Sequence, residues 1–84
     1  MDTNDTAGTL LELLNTIAPD VDPKSVAPER AFRDQFDFDS MDALHFASAV
    51  SEAFHIEIAE TDYPKLASLR SAMQYVDAKR AHKA

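Results

Sequence analysis

The sequence has 84 residues, with 15 acidic against 8 basic side chains and a formal net charge of -7, which describes one small domain over 1–84, ordered over about 6–80, that repels nucleic acid. Its single glycine, Gly8, excludes both a Gly-rich dinucleotide fingerprint and a phosphate-cradling loop, and the absence of Cys excludes disulfides, thiolate zinc sites and a thiol nucleophile. The acidic start at Met1–Asp5, followed by no long apolar run, sets the expectation of a soluble cytoplasmic monomer without a leader or membrane span.

Leu10, Leu13, Leu14 and Ile17 follow helical spacing and predict a first helix from Thr6 to Ala18, stopped by Pro19 and Pro23. The connection to the next stripe, 19–38, is far longer than the usual loop of about 4–6 residues. It carries Val21, Val26, Phe32, Phe36 and Phe38, so it is expected to pack across a helical bundle rather than run free in solvent, with Pro28 opening one short helical turn over Glu29–Asp34. A second helix follows Asp39, with Ala43, Phe46, Ala47, Val50, Ala53 and Phe54 on its buried stripe and Met41 and Leu44 widening that face. Asp39 suits the N-cap, and Asp42 falls in the first turn, where the helix dipole favours an anion. Residues 59–66, interrupted by Pro64, allow one or two helical turns. Leu69, Ala72, Met73 and Val76 then predict a third main helix, capped by Ser68 and ending near Lys79 and Arg80. Met1–Asp5 and His82–Ala84 are expected to fray.

Asp34, Asp37, Asp39, Ser40 and Asp42 form the densest polar cluster. A calcium loop counted from Asp37 fails, because Asp42 and Ser48 stand where that loop needs a glycine and a bidentate acid. An Asp37-x-Asp39 phosphoryl-transfer pair belongs to a large α/β domain that this chain is too short to build. A nucleophilic Ser40 lacks a base in reach, since His45 lies more than a helical turn away and His55 farther still. Both histidines are read as solvated or partner-facing rather than metal-binding. By propensity alone, Asp39 and Ser40 simply cap a helix.

Asp39-Ser40-Met41-Asp42, with an apolar-rich loop before it and an amphipathic helix ending in Phe54 after it, resembles the D-S-L phosphopantetheine attachment motif of acyl carrier proteins. The likeness continues in order through a leucine-rich first helix, Phe32 in the long loop, Glu57-Ile58 ahead of a short helix, and the Leu69–Val76 helix. It implies an all-α four-helix bundle of three main helices and one short one. It also implies that Ser40 receives 4'-phosphopantetheine from coenzyme A, and that the chain is a carrier rather than an enzyme. By the same resemblance, Asp39 helps a phosphopantetheinyl transferase position its substrate, and Met41 contacts partner enzymes. The physical logic agrees: a carrier without Cys must import its thiol, and a Ser in the first turn of a helix exposes its hydroxyl beside unpaired N–H groups that favour phosphate.

Phe36 and Asp37 replace the family's usual Leu-Gly, so the turn there is expected to rely on the tolerance of Asp for left-handed angles. The second helix is poor in acids, with His45 where an acid is common, which suggests a specialised pathway rather than general fatty acid synthesis. Asp37, Met41, Asp42 and His45 are the expected partner-facing residues. The partners implied are the transferase, an enzyme that loads an acyl or aminoacyl group, and an acyltransferase or synthase that accepts it. Phe46, Phe54, Ile58, Tyr63 and Leu66 are expected to fill the interior between the second and third helices. The alternative from another class is an unmodified acidic adaptor for a basic protein partner.

Overall fold

The computed structural model describes the backbone of residues 3–82 and the side chains of 6–81. Three α-helices dominate: α1 at Thr3–Ile17, α2 at Ser40–Phe54 and α3 at Leu69–His82. A 3-10 helix at Glu60–Leu66 is the fourth element of the bundle, and two single 3-10 turns, Pro23–Ser25 and Phe32–Asp34, interrupt the long loop. α1 packs on both α2 and α3, while Glu60–Leu66 is held between α2 and α3. Among the described residues the only β pairing is an isolated bridge between Ala31 and Ser68, so the all-α four-helix architecture stands. α1 starts earlier than its apolar stripe requires, at Thr3, and α3 continues to His82. The terminal positions 1, 2, 83 and 84 lie outside the described residues.

The core follows the apolar periodicities. Leu10 and Leu14 of α1, Phe46, Ala47 and Val50 of α2, and Leu69, Ala72 and Val76 of α3 are buried together. Phe32 joins them from the loop and is 0% exposed. Its ring lies 5.3 Å from that of Phe38 and 5.5 Å from that of Phe46, the latter edge-on at 86°, a geometry that favours aromatic pairs beyond simple burial. The backbone reinforces this anchor: the Phe32 N–H donates to the Ala67 carbonyl at 2.7 Å, and the Arg70 N–H donates to the Pro28 carbonyl at 2.8 Å. The long connection is therefore part of the bundle, as its apolar content requires.

Its local geometry departs from expectation in two places. Pro28 opens a turn, closed by the Arg30 N–H on the Ala27 carbonyl at 3.3 Å, but this turn does not continue as a helix; the Pro28 carbonyl accepts from the Arg70 N–H, and the helical turn of this stretch begins at Phe32. Asp37 does not adopt left-handed angles either, because among the described residues His55 alone has positive φ. The bend is held by Gln35, whose side chain accepts from the Ala27 N–H at 2.7 Å and donates to the carbonyls of Ala27 and Arg30, each at 2.9 Å. Side-chain hydrogen bonds thus supply the closure that a glycine turn would otherwise provide. The left-handed position at His55, with φ of 56°, ends α2, and Ser51 seals that end by donating from Oγ to the Ile56 carbonyl at 2.6 Å.

Tyr75 of α3 is buried, and its hydroxyl donates to Asp62 Oδ2 at 2.8 Å, while Lys65 sits 3.4 Å from Asp62 Oδ1. Burial, followed by the bond to Asp62 and its charge, pushes the Tyr75 phenol from 10.0 up to about 12, and the Tyr75 bond holds the Asp62 carboxyl below its usual value. A phenol raised in the folded state keeps its proton there longer than in the unfolded chain. Its contribution is complete below pH 10 and falls as pH rises from 10 to about 12. Urea midpoints measured across that interval should drop more steeply for the wild type than for Tyr75→Phe; parallel curves would contradict the linkage.

Candidate functional site

The N-terminus of α2 is built by a reciprocal capping box. Asp39 Oδ1 accepts the Asp42 N–H at 3.0 Å, and Asp42 Oδ2 accepts the Asp39 N–H at 3.3 Å, with Asp taking the place the box usually gives to Glu. The Ala43 N–H then donates to the Asp39 carbonyl at 3.0 Å. Ser40 is the first residue of the helix and is exposed, with no described group bonded to its hydroxyl. Its own N–H and that of Met41 stay at the open helix end, whose dipole favours a negative charge. The capping role read from Asp39 is present, and beside it stands a hydroxyl that the cap leaves unused.

The expected partner-facing residues divide between two sides of this helix end. Met41 is 57% exposed and Leu44 40%, so neither widens the buried stripe; one turn apart, they form an apolar strip next to Ser40. His45 is exposed, and no group of three or more His, Cys, Asp or Glu among the described residues is arranged to hold a metal. Asp37 and Asp42 face a groove of about 530 Å³ between the end of α1 and the loop, shared with Asp20 and Asp22 over a floor that includes Val26 and Phe36.

On the other side, Ser40 and Asp39 line a groove of about 650 Å³ whose walls include Phe38, Ala43, Phe46, Tyr63 and Leu66. The five residues expected to fill the interior lie in the core (Phe46, Leu66) or packed against it (Phe54, Ile58, Tyr63), and the groove is an open depression at the surface beside them. Phe54 is not part of that wall; its ring lies under Arg80, 5.7 Å from the guanidinium. Arg33 also lines the groove, and nothing in the sequence distinguishes it from the other exposed cations of the loop.

An exposed, unbonded hydroxyl at a helix N-terminus, with an open groove alongside, accommodates a phosphate-linked group. A family model described as the phosphopantetheine attachment site matches residues 8–76. The chain is 31% identical over 75 residues to an acyl carrier protein of Thermosynechococcus vestitus, covering 86% of this chain and 93% of that one. It is 31% identical over 70 residues to an acyl carrier protein of Rubrobacter xylanophilus, covering 80% and 86% respectively. Similarity also extends, at 30% over 67 residues, to a Schizosaccharomyces pombe protein whose name places it in mitochondria, covering 80% of this chain and 60% of that one. Size, four-helix fold and matched residues converge: this chain belongs to the acyl carrier protein family, whose members bear covalent 4'-phosphopantetheine and act as carriers rather than catalysts.

Proposed function

We propose that Ser40 is the attachment point of 4'-phosphopantetheine and that the chain carries an acyl or aminoacyl thioester for enzymes of a specialised biosynthetic pathway. The observation that carries this reading is the free hydroxyl of Ser40 in the first turn of α2, inside the matched family segment. When attached, the group supplies the thiol that this Cys-free chain lacks. Ser40 contributes the oxygen of the phosphodiester, the open N–H groups favour the phosphate, and the Asp39–Asp42 box keeps the helix end in place. The apolar walls of the adjoining groove favour an acyl over a polar aminoacyl cargo.

The specialised partner set follows from where the charge lies. α2 carries acids only at Asp42 and Glu52, whereas Asp20, Asp22, Asp37 and Asp42 surround the groove at the end of α1. A transferase, a loading enzyme and an accepting synthase or acyltransferase would read that edge together with Met41 and His45, through charge complementarity that sets encounter and partner choice. The same acidity disfavours nucleic acid. No helix among the described residues is long and apolar enough to cross a membrane, and a cytoplasmic monomer remains the working assignment.

Incubation with coenzyme A and a promiscuous phosphopantetheinyl transferase should add the mass of one phosphopantetheine to the wild type and nothing to Ser40→Ala. An unmodified wild type, or a modified mutant, would refute the assignment. Ser40→Ala keeps the capping box and should melt close to the wild type. Asp39→Ala removes it and should cost about 1 kcal/mol in urea unfolding, as loss of an N-cap typically does.

A further inference from the structure

The groove beside Ser40 contains one cation. Arg33 lines it and is exposed, with no carboxylate, carbonyl or ring engaging its guanidinium. That isolation is unusual in this molecule. Lys65 pairs with Asp62 and Arg70 with Glu29, Arg30 donates to the Asp34 carbonyl, and Lys79 and Arg80 lie over the rings of Tyr75 and Phe54. Lys24 is the other described cation whose side chain has no partner, and it lies outside this groove.

Arg33 is also held by its neighbours rather than by its own side chain. Phe32 is buried on one side of it, and on the other the Asp34 N–H donates to the Ala31 carbonyl at 3.0 Å. A phosphodiester on Ser40 would carry a full negative charge next to the carboxylates of Asp39 and Asp42, a repulsion that the helix end offsets only in part. A cation on the same groove supplies the rest. The planar guanidinium fork is suited to two oxygens of one phosphate, which a lysine ammonium is not.

We infer that Arg33 is a positioning residue that pairs with the phosphodiester of the prosthetic arm and directs the first part of that arm along the groove lined by Phe38, Ala43 and Phe46. The inference rests on the attachment at Ser40. It leaves Arg33 unpaired in the apo protein and engaged in the holo protein, so the two forms differ at a residue seven positions away from the modified one.

The test uses apo and holo forms of the full chain, the holo form unloaded so that no cargo carboxylate is present, with modification verified by intact mass. The Arg33 Nε–H resonance should move on conversion from apo to holo. The ³¹P resonance of the holo protein should be displaced in Arg33→Ala, less so in Arg33→Lys, and not in Lys24→Ala. Thermal melts of the apo variants should stay close to the wild type, since Arg33 has no hydrogen bond, ion pair or ring contact there to lose. An Arg33 resonance identical in both forms, with one ³¹P position for all four proteins, would overturn the pairing while leaving the attachment intact. Absence of any mass gain in the wild type would instead overturn the attachment itself.

Discussion

The structure depends on burying one loop residue, Phe32, against α2. This ring is fully enclosed, in edge contact with Phe46, and its backbone N–H is tied to Ala67 just ahead of α3. One residue therefore joins the connection, α2 and α3. Truncating a buried Phe to Ala typically costs about 3–5 kcal/mol, against a total stability of about 5–15 kcal/mol for a domain. The buried hydrophobic residues described form one cluster, and a chain this small has little else to absorb such a loss. Phe36 and Phe38 extend the same cluster toward the start of α2, so the packing that holds the loop also fixes where the helix begins.

That junction determines the chemistry. The aromatic cluster brings the chain to Asp39 in extended conformation, the Asp39–Asp42 box takes up two of the orphan N–H groups, and Ser40 is left with a free hydroxyl beside the others. The rigid part of the site is apolar and lies behind it, and the reactive part is polar and exposed. This division suits the carrier role proposed for Ser40, with the exposed hydroxyl set on a packed apolar support. The two grooves on either side are chemically unlike. One has mainly apolar walls and one cation, and the other is ringed by carboxylates, which is the basis for proposing separate surfaces for the arm and for partner proteins.

Much of this was legible in the sequence. Helical spacing at Leu10–Ile17, Ala43–Phe54 and Leu69–Val76 located the helices, and the cap preferences of Asp and Ser located the starts of α2 and α3, where the Ser71 N–H donates to Ser68 Oγ at 3.2 Å. Five apolar residues in the long connection showed that it packs. Features built from contacts distant in sequence were not legible. Gln35 closes the loop bend through backbone groups up to eight positions away, and Tyr75 finds Asp62 thirteen positions back; composition marks neither. Met41 and Leu44 misled for another reason. A helix stripe read from periodicity has no sharp edge, and only the neighbouring elements decide which border residues are covered. The missing left-handed turn at Asp37 follows the same logic, since tertiary anchoring at Phe32 and Gln35 made a special backbone angle unnecessary.

The central claim is that this packing presents Ser40, and no other hydroxyl, for modification. Cleavage after Arg33 and Lys65 yields one peptide, 34–65, that also holds Ser48, Ser51, Thr61 and Tyr63. Fragmentation of that peptide from the holo protein locates the arm directly. The account predicts phosphopantetheine on Ser40 alone; an arm found on any of the other four hydroxyls would contradict it.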